Sequence, residues 1–290
     1  MISVCIIGSC ARGSSDEWSD RDLLAVGCEA EVRNVSERKR SEGWNVAEFT
    51  QRQFEHIAFD KSLFVQHVKQ DGRIIRDDNY FLQNILGQYE RKSSYLDEIF
   101  DAAKPIMLVS SPPRNYWSAL FKADVLYVTI RNLCILHRAT ISEPVFDYRE
   151  LVNWISPQIP LSERERNSLV RLRNYKSAYR DRLFGVDLAD ARLAFKTADK
   201  LYAFWMALAP LASSRNRRSN GYYEVRRLEG ILVSEIGPLM LDGLGPNHVL
   251  YELWSVICNP SGYRDPRPKR LPVWTEAVSD FLSQEARSRL

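Results

Sequence analysis

The run Ser110-Ser111-Pro112-Pro113 constrains this chain more than any other feature. Adjacent prolines remove two backbone donors and push the residue before them out of the helical region, so neither a helix nor a strand continues through them. The pattern on the two sides differs. Ahead of the break, short β-branched runs bounded by turn residues predict strands at Ser3–Ile7, Asp22–Val26, Val46–Thr50 and, after Asp71-Gly72, Arg73–Arg76. Apolar residues at 54, 57, 58, 64, 65 and 68 predict a helix over that span, and the charged stretch from Glu29 to Gly43 reads as an exposed excursion. Behind the break every segment is helical in period. Helices are expected at Tyr116–Ala139, at Phe146–Ile155, from the capping-box spacing at Ser162–Glu165 to about Leu183, and at Asp187–Leu211. Shorter ones follow near Tyr223–Glu235, His248–Ile257 and Trp274–Arg287, with a basic polar break at Ser213–Gly221 and a second at Pro266–Arg270. The expected architecture is therefore an α/β or α+β domain with a mixed sheet over residues 1–109, then an all-α domain over residues 110–290.

Composition excludes several classes of protein. With 45% hydrophobic and 27% charged residues, and a mean hydropathy of −0.33, the 290-residue chain reads as globular and soluble. No apolar run nears the ~20 residues of a membrane span, so no membrane partner is expected. Met1 to Gly8 reads as a first strand rather than a secretion signal. Five cysteines (5, 10, 28, 134 and 258), with no CxxC pair, argue against a disulfide scaffold or a structural zinc site and for a reducing cytoplasm. Charge is uneven: residues 1–110 carry 14 basic against 18 acidic side chains, leaving 26 against 19 for the rest. An acidic front suits a metal site and a basic rear suits a polyanion.

The front half holds the densest chemistry. In "IIGSCARGSSDEWSDRDLLAV" (residues 6–26), Asp20 and Asp22 are two apart, so on a strand they share a face while Arg21 takes the other. Paired carboxylates repel unless a cation lies between them, and Mg²⁺ meets that need with oxygen ligands. Upstream, Gly8 permits close backbone approach, and Ser9 opens a turn whose free N–H groups suit a phosphate.

Gly8-Ser9-x-Ala11-Arg12-Gly13 followed by Ser19-Asp20-x-Asp22-Leu23-Leu24 resembles the signature of the DNA polymerase β-type nucleotidyltransferases, especially their minimal members. The resemblance implies that Gly8 and Ser9 hold a triphosphate and that Asp20 and Asp22 bind Mg²⁺ or Mn²⁺. It also implies a third carboxylate from a later strand, for which Glu48 is the candidate, although relatives more often carry Asp there. The implied activity is transfer of a nucleotidyl group from an NTP, ATP first among them, to an acceptor hydroxyl on an RNA end, a protein or a small molecule. Arg12 is placed to steady the triphosphate or else to be an exposed turn arginine.

In the rear half, "IRNLCILHRA" sets Arg131-Asn132 six residues before His137. This arrangement resembles the motif of the HEPN helical domains, many of which are metal-independent ribonucleases encoded beside minimal nucleotidyltransferases as toxin and antitoxin, and commonly dimeric. The resemblance implies an alternative function, an RNase that uses Arg131 and His137, regulated by the front domain and paired as a homodimer through the helical one. Six residues correspond to roughly 9 Å and about 120° on a helix, so the two side chains do not share one phosphate unaided. The family's frequent tyrosine two residues beyond the histidine is replaced by Ala139. The bland reading is that His137 and Arg138 oppose a helix dipole. The basic run Arg164, Arg166, Arg171, Arg173, Lys176, Arg180 and Arg182 reads either as a track for RNA phosphates or as a solvated face. A third function remains, a binding module with a decayed catalytic centre.

Overall fold

The computed structural model describes residues 1–14, 20–208, 221–258 and 270–288. Ser19 of the signature, most of the Ser213–Gly221 break and residues 266–269 lie outside them. The elements run in the order β1 (Ile2–Ile7), α1 (Ser9–Arg12), β2 (Asp22–Gly27), α2 (Glu29–Ser41), β3 (Asn45–Thr50), α3 (Gln51–Phe59), α4 (Leu63–Asp71), β4 (Arg73–Asp77), α5 (Phe81–Gln88) and α6 (Leu96–Ala103). They continue with α7 (Tyr116–Ile141), α8 (Tyr148–Ile155), α9 (Glu163–Arg180), α10 (Ala189–Leu208), α11 (Gly221–Glu235), α12 (Pro238–Asp242), α13 (Tyr251–Cys258) and α14 (Leu271–Ser288). A small mixed sheet is thus followed by helices, as the sequence predicts at that level.

The four strands form one sheet in the order β3-β2-β1-β4. β1 is antiparallel to both its neighbours, and β2 and β3 are parallel. All six residues of β1 are buried, because helices cover both faces of the sheet. On one face Cys5, Ile7, Leu24, Val26 and Phe49 pack with Phe54 of α3, Val65 and Val68 of α4, and Leu82 and Leu86 of α5. On the other, Ile2, Val4, Leu23, Ala25 and Val46 pack with Val32 of α2 and Trp44.

Two local expectations need correction. The charged stretch from Glu29 is a thirteen-residue helix, not an excursion: Val32 and Ser36, one turn apart, are its buried residues. So narrow an apolar stripe gives little periodic signal among charged neighbours. The helix expected across residues 54–68 is two helices. Lys61 takes φ 58° at the turn, and the Ser62 side chain accepts from the Phe64 N–H at 3.3 Å to start α4.

By compactness the chain forms two units, residues 1–95 with 139–147, and residues 96–138 with 148–290. The expected boundary at 109/110 therefore differs from the observed division. Ile99, Ala103 and Ile106, ahead of the prolines, are buried within the helical unit. Conversely, residues 139–147 are tied to the first unit, where Tyr95 N–H donates to Thr140 Oγ1 (3.0 Å), Gln70 Nε2 to the Pro144 carbonyl (3.3 Å) and Arg91 Nη2 to Glu143 (2.9 Å).

In the helical unit, α7 is apolar around most of its circumference and contributes Leu120, Leu126, Ile130 and Leu133 to the core. The predicted capping box is present at the start of α9: Ser162 Oγ accepts from the Glu165 N–H (3.3 Å), and the Glu165 carboxylate accepts from the Ser162 N–H (2.8 Å). No helix among the described residues is long and apolar enough to cross a membrane.

Candidate functional site

The signature residues meet at one end of the sheet. β1 finishes at Ile7, which faces Asp22 across the antiparallel pair, and Asp22 in turn faces Asn45 on β3. The chain then turns into α1 at Gly8, whose φ of 73° and ψ of −152° are open essentially to glycine alone. The carbonyl of Gly8 accepts from the Ala11 and Arg12 N–H groups at 3.2 and 3.3 Å. A Cβ at Gly8 would stand 3.1 Å from Asp22 Oδ2, so the glycine also lets that carboxylate lie against the backbone. On the other side of α1, Cys10 Sγ is 3.8 Å from the Asp20 carbonyl oxygen. The Gly8–Cys10 turn therefore touches both acidic residues of the pair.

The expected alternation holds for Arg21 and Asp22. Arg21 turns to the α2 side of the sheet, donating from Nη1 to the Glu42 carbonyl (3.0 Å) and lying 4.2 Å from the Trp44 ring centre. Asp22 shares the opposite side with Leu24 and Val26. Asp20 precedes the strand and is exposed, whereas Asp22 opens it and is half-buried.

Glu48 does not join them. The parallel register sets it beside Ala25, three residues beyond the Asp22–Asn45 pair and therefore about 10 Å along the strand. Strand alternation also puts it on the α2 face with Ala25 and Val46, opposite Asp22. There it pairs with Arg40 of α2 at 2.5 Å. The sequence reading set Glu48 within the Val46–Thr50 strand but had no register from which to read its face relative to Asp22.

Arg12 is not an exposed turn arginine. Its Nη1 lies 2.6 Å from Asp71 Oδ2, and its Nη2 lies 3.8 Å from Asp147. Asp71 is the acid that sequence reasoning missed, having served there only to mark a turn. No local signal marked it: it stands just before β4, whose Arg73 pairs with Ile6 near the end of β1, a register that only the fold supplies.

Whether these residues fit a metal follows from their donor set. Among the described residues, no group of three or more His, Cys, Asp or Glu side chains is arranged to hold an ion. The Asp22 carboxylate lies against the turn and Asp20 is exposed just ahead of the strand. Two carboxylates are the hard oxygen donors that a Mg²⁺ sharing its coordination with phosphates and water takes, and too few for a closed protein cage.

The helical unit separates its two candidates. His137 is buried with its ring between Trp154 (centroids 5.2 Å) and Phe204 (5.7 Å), and burial lowers its pKa from 6.5. Arg131 is half-buried earlier on the same unbroken helix. The helix does not bring the two together. Arg138 serves structure locally, 3.7 Å from Glu150 and 5.6 Å from the Trp154 ring centre. The basic run is partly neutralised: Arg171 pairs with Asp190, Arg180 with Asp124 (3.0 Å) and Arg182 with Asp242 (2.7 Å).

A buried charge network was also invisible to the sequence reading. Asp124 of α7, fully buried, receives Nη2 of Arg226 from α11 at 2.5 Å, and Arg226 Nη1 binds Glu229 at 2.8 Å. Glu229 in turn accepts from the Tyr179 hydroxyl at 2.7 Å. Burial alone would raise the Asp124 carboxyl, but the Arg180 and Arg226 guanidiniums outweigh it and hold the group below its ordinary range.

No protein-family model, no curated protein and no solved structure matches this chain.

Proposed function

We propose that the first unit is a Mg²⁺- or Mn²⁺-dependent nucleotidyltransferase, taking an NTP such as ATP and an acceptor hydroxyl on RNA, a protein or a small molecule. One observation carries the reading: the glycine-only turn at Gly8 is pressed against the Asp22 carboxylate at the end of the sheet. It supports the reading because the N–H groups of such a turn suit phosphate and the acid beside it suits a cation. Asp20 and Asp22 would hold the metal, and Ser9 with the turn N–H groups would bind the triphosphate. When bound, the metal supplies neutralisation of charge on the phosphate oxygens. The acceptor oxygen bonds to the α-phosphorus as the bond to pyrophosphate breaks, and a neighbouring carboxylate takes the hydroxyl proton.

Glu48, paired with Arg40, has no part in this reading. The ribonuclease reading gains no support from a buried His137 set apart from Arg131, and a decayed centre is one outcome of the test. The test incubates α-labelled ATP with Mg²⁺ or Mn²⁺ and the full chain, then asks whether label reaches RNA, protein or small molecules. Transfer that stops with EDTA and in a folded Asp22→Ala variant supports the proposal. No transfer with either metal, or undiminished transfer by Asp22→Ala, overturns it.

A further inference from the structure

Arg12 follows the Gly8-Ser9 turn by three residues, and its partners explain how that turn is held. Asp71 is the last residue of α4, where unpaired carbonyls make a carboxylate unfavourable. It is nonetheless nearly buried there, with a side-chain exposure of 9%. Arg12 Nη1 lies 2.6 Å from its Oδ2, and His67 Nε2 lies 3.5 Å from the same oxygen. The His67 ring is itself fixed by stacking on Phe146, 4.4 Å away at an interplanar angle of 25°. Asp147, next in the chain, faces the second Arg12 nitrogen at 3.8 Å.

The end of α4 is no looser than its side chains. At Gly72 a Cβ would stand 2.9 Å from Cys5 Sγ, so the backbone there is pressed onto β1, the strand that delivers Gly8. Asp71 is thus anchored to the same strand whose outgoing turn Arg12 belongs to. Both terminal guanidinium nitrogens are turned toward carboxylates, which leaves Arg12 poorly disposed to contact a phosphate.

We propose that Asp71 is a positioning residue that acts through Arg12, with Asp147 as second anchor, to hold the Gly8-Ser9 turn against Asp22. Its consequence for nucleotide rests on the function proposed above; its consequence for the turn does not. The fork geometry of arginine suits two carboxylates on different segments, a task lysine performs poorly.

Cys10 lies inside the turn and reports on it directly. The test measures iodoacetamide labelling of Cys10 by fragment-ion mass spectrometry, with fully buried Cys5 as the measure of an intact fold. Asp71→Asn should speed Cys10 labelling about 5-fold or more while Cys5 stays protected, and Asp71→Glu should largely restore the slow rate. Should Asp71→Asn expose Cys5 as well, Arg12→Lys decides, since it keeps the charge and loses the fork. Unchanged Cys10 labelling in Asp71→Asn and Arg12→Lys overturns the proposal. In parallel, binding of a fluorescent ATP analogue with Mg²⁺ should weaken roughly 10-fold in Asp71→Asn, equivalent to about 1.4 kcal/mol, and recover in Asp71→Glu. Faster Cys10 labelling in a protein whose wild type binds no nucleotide would keep the positioning role and remove the nucleotide reading.

Discussion

Asp22 faces Ile7 across the end of the β1–β2 pair and lies so close to the next residue, Gly8, that a methyl group there would come 3.1 Å from the Asp22 carboxylate oxygen. The glycine is doubly constrained, since its φ of 73° and ψ of −152° already exclude other residues. Backbone strain of this kind costs on the order of 1–3 kcal/mol. Gly8→Ala should therefore lower the unfolding free energy by about that amount in urea titrations. In an Asp22→Ala background the strain persists but the close contact is gone, so the loss should shrink. Equal losses in both backgrounds would mean that the contact contributes nothing.

Glu48→Gln separates the expected third carboxylate from the observed surface ion pair. The register keeps Glu48 on the α2 face, where its partner is Arg40 and both side chains remain substantially open to water. Such pairs contribute about 0–1 kcal/mol. The substitution should leave the proposed nucleotidyl transfer within about 2-fold of wild type, far from the losses that follow removal of a transition-state interaction. A loss of two orders of magnitude with NTP binding preserved would return Glu48 to the site.

The contrast between Asp22 and Glu48 marks what could be read without coordinates. Alternation within β2 depends only on local spacing, so the opposed directions of Arg21 and Asp22 followed from sequence. The relation of Glu48 to Asp22 depends on the pairing of β2 with β3, and a shift of one residue reverses the face. The strands themselves were legible because their apolar runs are bounded by turn residues, and the start of α9 because Ser162 and Glu165 make a local capping box. Helix α2 was not, since its contact with the sheet rests on Val32 and Ser36 among charges. The Arg12–Asp71 pair spans 59 residues, and no local rule foretells such a meeting.

Arg226 should prove hard to remove from the helical unit. It is 1% exposed and lies between Asp124 and Glu229, both as deeply buried. Arg226→Leu leaves Asp124 with Arg180 but takes the Arg226 cation from Glu229, and breaking a buried pair on one side costs about 3–5 kcal/mol. Adding Glu229→Gln removes the buried charge that loses this pairing, so the double variant should be more stable than the single one. If the single substitution costs less than about 1 kcal/mol, the network does not hold α7 to α11 as described.

His137 gives the helical unit a defined response to acid. Its ring is enclosed by Trp154 and Phe204, and burial disfavours the imidazolium, so its folded pKa lies below the ordinary 6.5. As pH falls through 6.5, the unfolded chain takes up a proton at this residue while the folded chain does not. Stability then declines as pH falls, until pH reaches the folded pKa, below which both states are protonated and this contribution is constant. His137→Leu removes the titrating group and keeps an apolar side chain in the enclosure. The difference in unfolding free energy between wild type and His137→Leu should be flat above about pH 7.5 and move in favour of the variant below 6.5. The other three histidines are present in both proteins and cancel to first order in that difference. A difference independent of pH from about 8 to 5 would mean that His137 is protonated as easily folded as unfolded, which an enclosed ring does not allow and a ring reachable by an RNA hydroxyl would.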